Sequence, residues 1–291
     1  SDVCSSDLKK ANLGIDAKFF HDKLSFTVDI FRDTRDHIFQ DRVTLPSFVG
    51  MVTYPKSNVG RMHSVGSDGN IEFFHQINKD MNFTIRANYT FSQNVIDYFE
   101  ENKLPYDYLS VTGKPFNILR GYISEGLFAS KEEINTSPDQ SGFGTIRPGD
   151  IKYKDLNGDG EVTAVDKTAI GGTRIPEIVY GFGATVSYKS FDLGVFFQGT
   201  GKTYQLLGGE TWLPGSSLGA GNIYSNIDDR WTPENPRQDV FWPRMGDKAV
   251  ANNEQASTWW LRDMSFLRLK NLELGYTLPQ RWTTKIGIRS C

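Results

Sequence analysis

From Tyr180 to Gln198 the chain alternates with little interruption. Tyr180, Phe182, Ala184, Val186 and Tyr188 fall on one parity, and Gly181, Gly183, Thr185, Ser187 and Lys189 fall on the other. After Lys189-Ser190 the pattern resumes, with Phe191, Leu193, Val195 and Phe197 against Asp192, Gly194, Phe196 and Gln198. Period two predicts strands with two unlike faces. A two-residue connection sets Tyr188 opposite Phe191, so both apolar sets share one face of a hairpin. That face carries no charge and ends in aromatics. A sheet half-buried in a soluble core would alternate in the same way, so the environment has to be read from the whole chain.

The same pattern recurs on both sides. A first strand runs from Ala11 to Phe19, with Leu13, Ile15, Ala17 and Phe19 opposed by Asn12, Gly14, Asp16 and Lys18. A tight turn at Phe20-His21-Asp22-Lys23 leads to Leu24, Phe26, Val28 and Ile30. The third strand is less regular, and Gly66 and Gly69 predict a bulge or bend in it. After a turn near Asn78-Lys79-Asp80, Phe83, Ile85, Ala87, Tyr89 and Phe91 alternate without error. The segment that follows is rich in Pro, Gly and Asp, with a short helical turn expected at Lys131-Glu132-Glu133-Ile134. A last strand begins near Trp259-Trp260. Its apolar parity flips between Leu269 and Leu272, which predicts a β-bulge near Lys270-Asn271. Pro279 ends it.

The connections alternate short and long, the long ones covering about 33–58, 93–178 and 199–258. An up-and-down antiparallel sheet gathers all short turns at one end and all long loops at the other, as outer-membrane barrels do. Most strands reach the roughly 9–11 residues that cross a bilayer when tilted. The expected fold is therefore all-β: about seven strands of an antiparallel up-and-down transmembrane β-barrel with long outer loops. Asp16, Lys18, Asp29, Arg86 and Asp192 all fall on the polar parity and would face the lumen.

Composition agrees with this reading and narrows it. The 291 residues carry a net charge of −3, which points away from nucleic acid and from anionic membrane surfaces. Mean hydropathy is −0.43, and no apolar run approaches the ~18 residues of a spanning helix. The two cysteines, Cys4 and Cys291, stand at opposite ends, and neither a disulfide nor a metal pair is expected. Residues 1–8, SDVCSSDL, look like translated adapter read-through and are set aside. Residues 9–291 are read as one partial barrel domain. Arg289-Ser290-Cys291 look like the opening of a further strand, so the chain is expected to be a piece of a longer protein.

Several segments resemble the SusC/RagA family of TonB-dependent outer-membrane transporters. They are Pro148-Gly149-Asp150-Ile151-Lys152-Tyr153 with Asp155-Leu156-Asn157-Gly158-Asp159-Gly160, then Phe196-Phe197-Gln198-Gly199. Also similar are Asp229-Arg230-Trp231-Thr232-Pro233-Glu234-Asn235-Pro236 and Ser265-Phe266-Leu267-Arg268-Leu269-Lys270-Asn271 with Leu274-Gly275-Tyr276-Thr277-Leu278-Pro279. The resemblance implies a plugged barrel of about 22 strands in the bacterial outer membrane. It implies a SusD-like surface lipoprotein as partner and a TonB–ExbB–ExbD complex acting through parts absent from this chain. The implied cargo is an oligosaccharide or a peptide, and the implied mechanism is gated passage rather than covalent chemistry. The competing reading is a secreted all-β glycan-binding protein stabilised by calcium.

Residues 155–166 supply the candidate metal site. Asp155, Asn157 and Asp159 stand at positions 1, 3 and 5 of a twelve-residue calcium loop, Gly160 at 6, the Glu161 carbonyl at 7 and Asp166 at 12. Such spacing folds hard oxygens around one point. Asp166 replaces the usual bidentate Glu. An acidic, Asx-rich surface turn would have the same composition. Gly199-Thr200-Gly201-Lys202-Thr203 imitates part of a phosphate loop, but Phe196 stands where its first glycine belongs. Trp212, Trp231 and Trp242 read as core residues of long loops before they read as sugar platforms. Trp259, Trp260 and Tyr188 are candidates for an interfacial girdle. His21, His37, His63 and His75 are scattered as surface or lumen residues, and no catalytic site is expected.

Overall fold

The computed structural model describes residues 6–44, 50, 53–208, 213, 223–246 and 250–279. Cys4, Cys291, Trp212 and the expected terminal strand at Arg289 lie outside them. In chain order the strands are β1 (Asp7–Phe19), β2 (Leu24–Asp41), β3 (Lys56–Asn78), β4 (Met81–Tyr98), β5 (Arg120–Gly121), β6 (Ser124–Leu127) and β7 (Ile151–Tyr153). They continue with β8 (Thr168–Ala169), β9 (Ile178–Tyr188), β10 (Phe191–Gly201), β11 (Tyr204–Leu206), β12 (Leu261–Asp263) and β13 (Phe266–Tyr276). Seven of them form one antiparallel sheet in the order β1-β2-β3-β4-β9-β10-β13. The sheet is open, with β1 and β13 at its two edges.

Its register joins the apolar parities of separate strands into continuous rows. Phe19, Leu24, Phe73, Ile85, Ala184, Val195 and Leu272 stand side by side across all seven strands. The next row is Ala17, Phe26, Ile71, Ala87, Phe182, Phe197 and Leu269. The β9–β10 turn pairs Tyr188 with Phe191, and Lys189 takes the left-handed φ of 53° that a two-residue hairpin favours. The predicted bulge in the last strand is present. Phe196 faces Asn271 and Phe197 faces Leu269, which leaves Lys270 as the extra residue.

Three expectations need correction. Gly66 and Gly69 are not bulged: they pair regularly with Ser92 and Tyr89. They make room instead. A Cβ on Gly66 would fall 2.3 Å from the Phe91 carbonyl oxygen and 2.4 Å from the Phe31 ring, and one on Gly69 would fall 3.0 Å from the Tyr89 ring. The irregularities of β3 sit near its ends, at Arg61/Met62 and Gln76/Asn78. Second, β2 and β3 run well past the expected strand ends, so the connection expected over 33–58 shrinks to 42–55. Backbone pairing continues there under polar side chains, interrupted by a shift between Arg35 and Ile38 where His37 has a φ of 57°. Third, the last strand does not start at Trp259-Trp260. β12 pairs with β11 away from the sheet, and β13 begins only at Phe266.

The long connections build a second body with a core of its own. Tyr122, Leu127, Ile151, Tyr153, Val162, Trp231, Val240, Trp242 and Trp260 form one buried cluster, with Leu213 beside them. The helical turn expected at Lys131 is α1 (Lys131–Thr136), capped by the Ser130 hydroxyl, which accepts the Glu133 N–H. Among the described residues no helix is long and apolar enough to cross a membrane.

Candidate functional site

The loop body is fixed by the motif around Asp150. Gly149 has a φ of +87°, and a Cβ there would fall 2.2 Å from the Trp231 ring, so only glycine fits both constraints. Asp150, fully buried, accepts from Arg244 Nε at 2.9 Å and Nη2 at 3.2 Å and from Asn253 Nδ2 at 3.0 Å. A buried carboxylate demands such pairing. Beside it, side-chain amides replace a neighbouring strand. Asn253 Oδ1 accepts the Ile151 N–H at 2.9 Å, and Gln140 Oε1 accepts the Tyr153 N–H at 2.7 Å. Tyr153 donates its hydroxyl to the Asn252 carbonyl at 2.6 Å, and burial raises its pKa.

The second motif serves the same body. Asp229 accepts from Arg237 Nη2 at 2.8 Å and from the Phe241 N–H at 3.0 Å. Trp231 donates its backbone N–H to the Trp242 carbonyl, and Trp242 donates its own to Asp229. Trp242 and Trp260 pack with ring centroids 5.8 Å apart. Trp231 and Trp242 are thus loop-core residues. Trp260, 2% exposed, donates its indole N–H to the Asn253 carbonyl at 2.7 Å. It is no girdle residue, and Trp259 packs against the same cluster. Tyr188 does stand at the turn end of the apolar face, in a row with Phe191 and Tyr276.

Residues 155–166 hang from this body. Asp139 pins them, accepting the Val162 N–H at 2.8 Å and donating its own to Gly160. Asp155 accepts from the N–H groups of Gly158 at 2.7 Å and Gly160 at 2.9 Å. Asn157 Oδ1 accepts from Asp159 N at 3.1 Å, and Asp159 Oδ1 from Glu161 N at 2.9 Å. Asp166 is fully buried and reaches back across the loop, accepting from Leu156 N at 2.8 Å and Thr163 N at 2.7 Å. These bonds close the loop as a cascade of Asx turns. Each oxygen keeps a lone pair beyond the bond it accepts. Among the described residues no group of three His, Cys, Asp or Glu side chains converges closely enough to hold a metal ion. Asp166 lies close enough to Tyr122 to add to the effect of burial, and together they push that phenol up to about 12.

The polar face of the sheet was legible as a wall, but its details were not. Arg86, Gly183, Phe196 and Asn271 form one row of it, and Thr84, Thr185, Gly194 and Glu273 form the next. Phe196 breaks the polar parity, and the glycines opposite it are the signal that could have marked the place. The histidines are dispersed. His63 lies 2.7 Å from Asp97, and His75 packs beside Phe83 on the apolar face. Gly199 to Gly201 belong to β10, and Lys202 pairs with Glu177 at 3.3 Å.

No family model matches the chain. TonB-dependent receptor P3 of Formosa agariphila is 27% identical over 97% of this chain and 28% of its own length. TonB-dependent receptor SusC of Bacteroides thetaiotaomicron is 22% identical over 94% of this chain and 26% of its own length. Over most of its length the chain is similar to parts of TonB-dependent receptors, SusC among them. A solved structure of the RagAB peptide importer in its open-open state shares the fold, with a TM-score of 0.67 at 23% identity over 95% of this chain and 28% of that one. The chain therefore spans less than a third of the length of the relatives it matches. Two of the resembling motifs, Pro148–Tyr153 and Asp229–Pro236, act here as staples of the loop body.

Proposed function

We propose that this chain forms part of the wall and outer loops of an outer-membrane nutrient importer. The observation that carries the reading is the sheet's continuous apolar face, on which Leu272 and Leu274 are 68% and 78% exposed. Leaving such side chains in water forgoes about 1.5–3 kcal/mol each, whereas lipid tails accept them. The sorting of short turns and long loops to opposite ends supports the same orientation. On this reading the polar face lines the lumen and the loop body stands outside the cell. Cargo passes through a gate, with no covalent step. A SusD-like surface lipoprotein holds glycan oligomers or peptides above it, and a TonB–ExbB–ExbD complex energises the gate through the rest of the receptor. The relative named SusC and the neighbour named as a peptide importer support that partner and those cargo classes. Carbonate washing of membranes that carry the full-length receptor tests the reading. The receptor should stay in the pellet, and release into the wash would favour a secreted binding protein.

Calcium at residues 155–166 is a second, separate reading. It is favoured by the way Asp166 folds back onto Leu156, which brings position 12 of the loop to position 2. Asp155, Asn157, Asp159, the Glu161 carbonyl and Asp166 would hold the ion through hard oxygens, which suit calcium better than magnesium. In the full-length receptor calcium should then slow proteolysis between Ile151 and Ile170 relative to chelator. Asp155→Ala with Asp159→Ala should abolish the difference. Equal cleavage with and without calcium would leave only the Asx turns.

A further inference from the structure

The apolar face of the sheet is not smooth. It holds a hollow of about 350 Å³, lined among others by Ile71, Ala87, Tyr89, Tyr180 and Phe182. Tyr89 and Tyr180 are cross-strand neighbours on β4 and β9, but their rings lean apart. A Cβ on Gly69 would fall 3.0 Å from the Tyr89 ring, and one on Gly199 would fall 2.5 Å from the Tyr180 ring. Each ring thus lies over a glycine of the next strand, Gly69 on β3 and Gly199 on β10, and the small Ala87 leaves the space beside them open. Val28 of β2 also lines the hollow. Four residues farther along the same face of β2 stands Arg32, roughly 13 Å away along the strand. Arg32 is exposed, its cross-strand neighbours are Ala11 and Val65, and among the described residues it makes no ion pair. Other cations at this end are taken: Lys9 pairs with Asp36 at 3.3 Å, and Lys202 with Glu177 at 3.3 Å.

An apolar cleft with a lone cation at its outer end matches a lipid with an anionic head. We propose that this face binds one phosphorylated lipid of the outer leaflet, with an acyl chain in the hollow and the phosphate on Arg32. The inference rests on the outer-membrane reading, under which the long-loop end of β2, and so Arg32, lies on the outer side. An arginine on a lipid-facing parity is costly unless its long stem carries the head into the polar layer, where a phosphate can take up its planar fork of donors. Further strands of a barrel would join at the edges β1 and β13, and a plug would fill the inside, so neither covers this face. A second copy laid on the face would bury Arg32 unpaired. In the rows from Leu24 to Arg32 no Asp or Glu stands on the apolar parity of any of the seven strands. Asp36, farther out, is held by Lys9 and Arg61. An uncompensated buried charge is strongly destabilising. A lipid supplies the phosphate and the apolar chain in one molecule.

The test uses the full-length receptor in a neutral detergent, with bound lipid counted by native mass spectrometry. The probes are monophosphoryl lipid A, the same lipid with its phosphate removed, and inorganic phosphate. The wild type should hold the phosphorylated lipid at least tenfold more tightly than the dephosphorylated one. Arg32→Gln should erase that preference and leave the dephosphorylated lipid unchanged. Ala87→Phe, which fills the hollow without adding charge, should weaken both lipids about tenfold. A wild type indifferent to the lipid phosphate overturns the proposal without any variant, so a variant that folds poorly does not shield it. Displacement of the lipid by an equal concentration of inorganic phosphate also overturns it, because Arg32 would then be a phosphate site alone. If the receptor is a dimer that Ala87→Phe separates while lipid binding stays unchanged, the hollow seats a second copy and the proposal is overturned as well. Failure of the outer-membrane reading would appear separately, as release of the wild type by carbonate.

Discussion

The loop body and the sheet use the same residue types in opposite ways. In the loops Tyr122 is 1% exposed and Ile151 not exposed at all, and each buried polar neighbour of Ile151 is matched by a named partner. In the sheet Leu13, Ile30 and Leu272 stand on the surface, and the row that holds Leu272 runs from edge to edge. A loop is ordinarily the part that lacks a core. Here the loops have the core and the regular strands do not. The difference teaches which surroundings each part suits: the loop body excludes water from its own interior, and the sheet leaves its apolar side outside any core of its own.

The largest expected effect separates the two bodies. Trp260→Ala removes a fully packed indole and leaves the Asn253 carbonyl without its donor. It should cost about 3–5 kcal/mol in the loop body. In the full-length receptor, proteolysis should open the segment around 226–260 while the strands stay protected. Cleavage of strands and loops together would show that the two bodies share one core.

A slightly smaller effect addresses the sheet. Ala184 stands in an apolar row and Thr185 in a polar one. Ala184→Arg should cost roughly 2–4 kcal/mol for folding into vesicles, with Thr185→Arg milder because it stands on the polar face. Equal costs would remove the distinction between the faces.

Alkaline pH should distinguish the bodies again. Tyr122 is neutral in the fold, and burial raises its pKa from 10.0 to about 12, with Asp166 adding to the shift. The unfolded chain loses that proton first. The stability it confers is therefore complete below pH 10 and declines as pH rises toward 12, by on the order of 2 kcal/mol. Loop-body unfolding followed by tryptophan fluorescence should show the decline, and Tyr122→Phe should reduce it, leaving the share that buried Tyr153 contributes.

What the sequence displayed follows from what period two can carry. Alternation is local, so β4, β9, β10 and the Lys270 bulge were legible from single strands. Apolar parity also gave the cross-strand rows once the turns were placed. The loop body was not legible, because its core is assembled from residues far apart in the chain. Asp150 meets Arg244, and Gln140 meets Asn252, with no periodicity to announce either pair. The twelve-residue spacing at Asp155 was visible, but the inward turn of Asp166 was not. Glycines in strands were ambiguous for a related reason: a sequence shows that a side chain is missing, but not what occupies the space.

Gly66 offers the finest test of that last point. The sequence alone suggests a bulge or bend there, and in a bulge a substitution would cost little because the backbone is already free of its ladder. The structure places it in register, with the Phe31 ring from β2 on one side and the Phe91 carbonyl of β4 on the other. A ring can tilt, but a paired carbonyl cannot withdraw without loosening two strands. Gly66→Ala should therefore destabilise the sheet by about 1–3 kcal/mol, the range of overpacking. Gly275 provides the contrast, since a Cβ there would meet the Asp192 side chain at an ordinary 3.5 Å. Gly275→Ala should stay within about 0.5 kcal/mol of the parent. Both variants, unfolded by urea from vesicles, give the comparison directly. A harmless Gly66→Ala would mean that β3 yields at that point and that the close approach of Phe31 and Phe91 is not rigid.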